Sequence, residues 1–218
     1  MAAGSKTKRC VLTIAGSDSG AGAGIQSDIK TFKNHGVYGL SVVTAVTAQN
    51  TRGVQSSVSV TKKLINAQMK SVFDDFDIKT AKTGMLAGAG AIEVIAGFFK
   101  RRKNIKLIVD PVIYSKNSFV MLNKQGISAL KKLLLKQTYL LTPNIPEAEI
   151  LTGMKIESLD DLETAALMLF ELGAKNVLVK GGHLKQSIGL PLGTDVLFDG
   201  KGFTSSIQIV FQLQIHTG

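Results

Sequence analysis

Cysteine, tryptophan and proline are scarce in this 218-residue chain, which holds one cysteine, no tryptophan and four prolines. The single thiol, Cys10, excludes a disulfide framework and any cysteine-based zinc site, and it fits a reducing compartment. No apolar run approaches the ~18 residues of a membrane span, and no secretory segment follows Met1, so a soluble, cytoplasmic protein with no membrane association is expected. With no tryptophan and three tyrosines, the chain has few platforms for stacking single-stranded nucleic acid. Its 26 lysines and arginines outnumber 16 acids and give a net charge of +10. They are scattered, as at Lys62–Lys63, Lys100–Lys103 and Lys131–Lys132, on the polar faces and ends of predicted helices. That pattern argues for general attraction of anionic small molecules and for no nucleic-acid partner. Both common phosphate loops are also missing. Gly20-Ala-Gly22-Ala-Gly24-Ile25 puts isoleucine where a dinucleotide fingerprint needs its third glycine, and no glycine–lysine–hydroxyl triplet completes a Walker A loop.

What is present begins at Val11–Asp28, an apolar strand, a glycine-rich turn and a helix start. Gly16, Gly20, Gly22 and Gly24 let the backbone approach a ligand closely. A helix N-terminus with free N–H groups suits a polar or anionic molecule; the plainer reading is a tight strand-to-helix turn with no ligand. Hydrophobic residues make up 44% of the chain and charged residues 19%, a balance that supports a sizeable core. Strands are predicted at 11–15, 40–48, 78–83, 106–109, 138–141, 176–179 and 195–198. Helices are predicted at 24–35, 62–75, 89–102, 124–136, 146–152 and 159–172, with Asn123, Asp160 and Asp161 as start signals and Gly36 and Gly173 as caps. The alternation implies a mostly parallel sheet with helices on its faces. Residues 1–9 form a flexible tail and 10–218 a single domain in this reading. In such sheets ligands bind beyond the carboxyl ends of the strands.

Polar residues collect at those ends. Gln49 follows the second strand, and its amide complements the edge of an aminopyrimidine-type ring, although a surface amide would serve as well. Gly84 and Met85 follow the third strand, with Met85 equally suited to core packing. Asp110 ends the fourth, before Pro111 and Val112, and a carboxylate there needs a partner, water or a metal. Asn144 and Glu147 open the helix after the fifth; Glu147 could favour the helix dipole or, with Asp110, hold a largely hydrated Mg²⁺ on substrate phosphates. Lys180, before Gly181 and Gly182, suits a phosphate clamp. His183 has no ligand-spaced partner and is expected to hydrogen-bond locally.

The ordered set Ala15-Gly-Ser-Asp-Ser-Gly-Ala-Gly-Ala-Gly-Ile-Gln, Thr47-Ala-Gln-Asn-Thr-Arg-Gly-Val-Gln, Asp110-Pro-Val, Thr142-Pro-Asn-Ile-Pro-Glu-Ala and Val179-Lys-Gly-Gly-His-Leu resembles the hydroxymethylpyrimidine/phosphomethylpyrimidine kinases of thiamine biosynthesis. These are members of the ribokinase-like superfamily, and the resemblance runs from about Cys10 to Phe203. It implies a three-layer α/β sandwich and ATP-dependent phosphoryl transfer to 4-amino-5-hydroxymethyl-2-methylpyrimidine, its monophosphate, or both. Gly16, Asp28, Gln49, Met85 and Val112 match the pyrimidine-binding residues, Asn144 and Lys180 the nucleotide side, and Asp110 and Glu147 the Mg²⁺ network. ATP and Mg²⁺ are the implied cofactors, and a homodimer is implied by analogy. A vitamin B6 kinase is the alternative enzyme, since related proteins phosphorylate pyridoxal-type alcohols in a similar crevice.

The resemblance departs at two places. Thr83 replaces the apolar residue expected before Gly84. The family's glycine–threonine–glycine anion hole, with its cysteine, falls beyond Gly218, and His216-Thr217-Gly218 matches it only faintly. The expectation is a C-terminally truncated domain that keeps the pyrimidine half of the site and has little or no kinase activity alone, down to a form that only binds ligand. The apolar–polar alternation of residues 207–215 suits a strand.

Overall fold

The computed structural model describes residues 9–115, 119–182 and 194–207. Six strands, Cys10–Asp18 (β1), Tyr38–Asn50 (β2), Ile78–Thr83 (β4), Lys106–Val109 (β5), Leu140–Leu141 (β6) and Val177–Val179 (β7), lie parallel. Gly53–Ser59 (β3) pairs antiparallel with β2 at one edge, and Thr194–Phe198 (β8) and Phe203–Ile207 (β9) extend the other edge antiparallel. The nine strands run β3-β2-β1-β4-β5-β6-β7-β8-β9. The mostly parallel sheet expected from the alternation is therefore present, with β3 and β9 as unforeseen edge strands. Residues 208–215 of the expected C-terminal strand, the 1–8 tail and His183 lie outside the described residues.

The helices are Gly24–Asn34 (α1), Lys62–Asp75 (α2), Ala89–Lys100 (α3), Lys124–Ala129 (α4), Ile145–Thr152 (α5) and Leu159–Glu171 (α6). Several starts are fixed by side-chain caps: Thr61, Asn123 and Ser158 each accept a hydrogen bond from an amide three residues on. The expected helix 124–136 is corrected in form. After α4 the chain widens into a π turn at Leu130–Leu134 and tightens into a 3₁₀ turn at Leu135–Gln137. This irregular stretch seats Leu130, Leu134 and Leu135 in the core.

Right-handed crossovers between parallel strands put α1, on the step from β1 to β2, on one face and α3 to α6, on the opposite steps from β4 to β7, on the other, and α2 packs beside α3. Burial follows that division. Ala81 and Thr83 of β4, Leu107 and Val109 of β5, and Val177 and Val179 of β7 are buried, while Thr80, Lys82, Ile108 and Leu178 between them are half-buried. β1 lies where the strand order reverses, between β2 and β4, so the ends of β1 and β4 flank the sheet's topological switch point.

Candidate functional site

A cleft of about 700 Å³ opens at this switch point. Its floor begins where β1 and β4 end side by side: Gly84 N–H donates to Ile14 O at 3.0 Å. A Cβ on Gly16 would come within 2.9 Å of Met85 Sδ, so Met85 lies directly over a bare stretch of β1.

The glycine-rich turn is organised by a residue that sequence reasoning left unassigned. The buried Asp18 carboxylate accepts hydrogen bonds from Gly20 N at 2.8 Å, Gly22 N at 3.1 Å and Ala23 N at 2.8 Å. Gln26 Oε1 in turn accepts from Asp18 N at 2.9 Å. The loop amides, expected to point outward to an anion, are thus directed to a carboxylate of the chain itself. Gly24 has φ +59°, and a Cβ there would fall 2.4 Å from Gly16 O, so only glycine closes this turn. An aspartate followed at once by serine and glycine is the local signal that could have exposed the motif.

The second wall comes from the β2–β3 ribbon. A bulge between Ala48 and Gln49 shifts the register, which resumes as Gln49 opposite Val54, and such a bulge re-aims side chains. Ser19 Oγ donates to Gln49 O at 2.7 Å and accepts from Gln49 N at 2.8 Å, tying the glycine loop to the ribbon. Gln49 is half-buried.

Beneath the loop, Asp28 on α1 meets Lys82 on β4. Lys82 Nζ lies 2.9 Å from Asp28 Oδ1 and 2.8 Å from Oδ2, and Thr13 Oγ1 donates to Oδ2 at 2.6 Å. Lys82 was also overlooked. The mixed strand Ile78-Lys-Thr-Ala-Lys-Thr83 gives Lys82 no local signal, and its partner stands 54 residues away in sequence.

The cleft lining brings together Gly16, Asp28, Gln49, Met85, Asp110 and Val112. Asn144, Glu147 and Lys180 are not in that lining; they form an adjoining cluster linked to it through Asp110. Lys180 Nζ lies 3.1 Å from Asp110 Oδ1. Lys180 N–H donates to Pro143 O at 2.8 Å, and Asn144 pairs with Lys180 in a parallel bridge. Asn144 and Glu147 form a capping box: Asn144 N–H donates to Glu147 Oε2 and Glu147 N–H to Asn144 Oδ1, each at 2.9 Å. Glu147 is buried, and that burial, reinforced by the neighbouring Asp110 charge, raises its carboxyl from 4.5 to about 7. The hydrogen bond from Asn144 opposes the rise without cancelling it. Gly181 closes the cluster: its N–H donates to the buried Asp195 at 3.0 Å, and a Cβ would fall 1.8 Å from Thr194 O.

Among the described residues no group of three or more His, Cys, Asp or Glu could hold a metal, and no helix is long and apolar enough to cross a membrane. A cation here would rest on the Asp110 and Glu147 carboxylates, with water and phosphate completing its shell. Mg²⁺ tolerates that arrangement.

A family model for phosphomethylpyrimidine kinase matches residues 18–216. The hydroxymethylpyrimidine/phosphomethylpyrimidine kinase of Aquifex aeolicus is 43% identical over 192 residues, covering 88% of this chain and 74% of that protein. The crystal structure of a phosphomethylpyrimidine kinase from Clostridium difficile superposes with a TM-score of 0.84 at 42% identity, over 92% of this chain and 84% of that one. An ADP complex of Bacillus subtilis pyridoxal kinase superposes at 0.83 with 31% identity, over 95% and 77%. The sheet order and helix layers are those of ribokinase-like kinases, and the chain belongs to the phosphomethylpyrimidine kinase family.

Proposed function

We propose that this protein transfers the γ-phosphoryl group of ATP to the hydroxymethyl oxygen of 4-amino-5-hydroxymethyl-2-methylpyrimidine and to the phosphate of the resulting monophosphate. The observation that carries the reading is the convergence of Gly16, Asp28, Gln49, Met85 and Val112 on one cleft at the switch point of this family's fold. Gln49 offers a carboxamide with one acceptor and two donors, matched to the amino group and adjacent ring nitrogen of the pyrimidine. The Asp28 carboxylate accepts from ring-borne donors, Met85 and Val112 supply apolar contact to the ring faces, and Gly16 leaves room for close approach.

Lys180 and Asn144 take the nucleotide side, where Lys180 offers a compact positive charge to phosphate. Mg²⁺, bound largely through water by Asp110 and Glu147, would neutralise phosphate charge. The chain's own contribution is positioning, which carries most of the barrier lowering in phosphoryl transfer. In the balanced reaction the alcohol loses its proton and gains the phosphoryl group, and ADP leaves.

Two measurements test the reading. Isothermal titration with the pyrimidine in competition with pyridoxine should show preference for the pyrimidine, and mass spectrometry after incubation with ATP and Mg²⁺ tests turnover separately: products heavier by one and two phosphoryl groups support transfer by this chain, and pyrimidine binding without product marks the form that only binds ligand. Preferential binding and phosphorylation of pyridoxine would overturn the substrate assignment in favour of a vitamin B6 kinase.

A further inference from the structure

The cleft is lined by three carboxylates, and each is engaged within the chain. Asp18 is held by three loop amides, Asp110 by Lys180, and Asp28 by Thr13 and Lys82. The Lys82 ammonium lies on the cleft floor beside the residues assigned to the ring. It bridges both oxygens of Asp28, and its Nζ is 3.3 Å from where a Cβ on Gly84 would stand, one residue before Met85. Both partners keep a minority of their surface, with side chains 26% exposed for Lys82 and 18% for Asp28, so their charges act in a medium less screening than bulk water.

The proposed substrates differ in charge: the first is a neutral alcohol and the second a phosphomonoester dianion. A bare carboxylate on the floor would repel the second and leave the first nearly untouched. We propose that Lys82 is a specificity-determining residue, which neutralises Asp28 so that one cleft admits both the hydroxymethylpyrimidine and its phosphomonoester. The inference rests on the function proposed above and adds to it the device that makes consecutive phosphorylations compatible with a single ring site. Discrimination here is a difference between two affinities, so a repulsive charge suffices to create it.

The test is the ratio of dissociation constants, monoester over alcohol, measured by isothermal titration without nucleotide. Any general damage to the ring site moves both constants together and cancels in the ratio. Lys82→Met should raise the ratio at least tenfold, and Lys82→Arg should hold it within threefold of the wild-type value. Lys82→Met combined with Asp28→Asn, which removes both charges, should bring the ratio back to within threefold of wild type. Asp28→Asn alone, which leaves the ammonium unopposed, should lower the ratio at least threefold, and it provides a reading even if Lys82→Met does not fold. An unchanged ratio in both single variants overturns the inference. So does a double variant whose ratio stays high, since that outcome means direct ammonium–phosphate contact rather than neutralisation. Wild-type protein that binds neither pyrimidine overturns the proposed function itself, and is distinguished by that first titration.

Discussion

Lys180 Nζ stands 3.1 Å from Asp110 Oδ1, joining the end of β7 to the end of β5 across β6. The contact closes the gap between the cleft, which Asp110 lines, and the Asn144–Glu147 capping box beside it. The pair is partly solvated, with side chains 40% and 28% exposed, and exposed pairs of this kind contribute roughly 0–1 kcal/mol to stability. It places a cation where the cleft meets the capping-box cluster.

Lys180→Ala should therefore leave the fold nearly intact, with a melting temperature within about 4 °C of wild type. Binding of a non-hydrolysable ATP analogue should weaken about tenfold, or ~1.4 kcal/mol, while the affinity for the pyrimidine alone stays within about twofold of wild type on the same scale. Calorimetric titration of both ligands separates the cases. Equal weakening of both would place Lys180 on the ring side instead.

Glu147 gives the protein a pH-dependent stability of definite sign. Its carboxyl ordinarily titrates at 4.5 and is raised to about 7 in the fold, first by burial. Between those values the folded state holds a proton that the unfolded state has released, so stability falls as pH rises. The contribution is fully present below pH 4.5 and is lost through about pH 7, a change of about 3 kcal/mol at 1.36 kcal/mol per pH unit. Glu147→Gln keeps the shape and an acceptor for Asn144 N–H but cannot titrate. The difference in urea midpoint between wild type and Glu147→Gln should move in favour of the variant from pH 5 to about pH 7 and level off above it. A difference independent of pH would contradict the assignment.

What was legible in the sequence were features with local causes. Apolar runs and capping residues such as Asn123 located most helices and strands, and the rule that ligands sit beyond strand ends singled out Gln49, Asp110 and Lys180. What stayed hidden depends on partners far away in the chain. Gly53-Val-Gln-Ser-Ser-Val-Ser59 has too little apolar alternation to declare itself a strand, and it becomes one by pairing with β2. Lys82 is unremarkable in sequence and acquires its role from α1. Glycine spacing suits a polar or anionic ligand and a ligand-free turn alike, and nothing in it reveals that Asp18 already meets the loop amides.

That internal anion makes Asp18 a test of how the glycine loop is held. Asp18→Ala deprives three amides of a charged acceptor, and hydrogen bonds to charged groups contribute roughly 1.5–3 kcal/mol each before solvent replaces part of the loss. A net destabilisation of about 3 kcal/mol is expected by chemical denaturation. Pyrimidine affinity should fall as well, because Ser19 anchors Gln49 through this loop. Wild-type stability in Asp18→Ala would mean the glycines hold the turn unaided.

Thr83 carries the opposite kind of prediction. Its hydroxyl is buried, and among the described residues it has no hydrogen-bond partner. The backbone beside it is paired across the sheet, with Asp110 N–H donating to Thr83 O at 3.1 Å. A buried hydroxyl without a partner retains its desolvation penalty, typically about 1–3 kcal/mol, and replacement by an apolar group of the same shape removes it. Thr83→Val preserves the β-branch that suits a strand. It should raise stability by about 1 kcal/mol, which for a chain of this size lifts the melting temperature by about 2–4 °C. A fall in melting temperature would show that the hydroxyl is satisfied by water held between β4 and the helices above it.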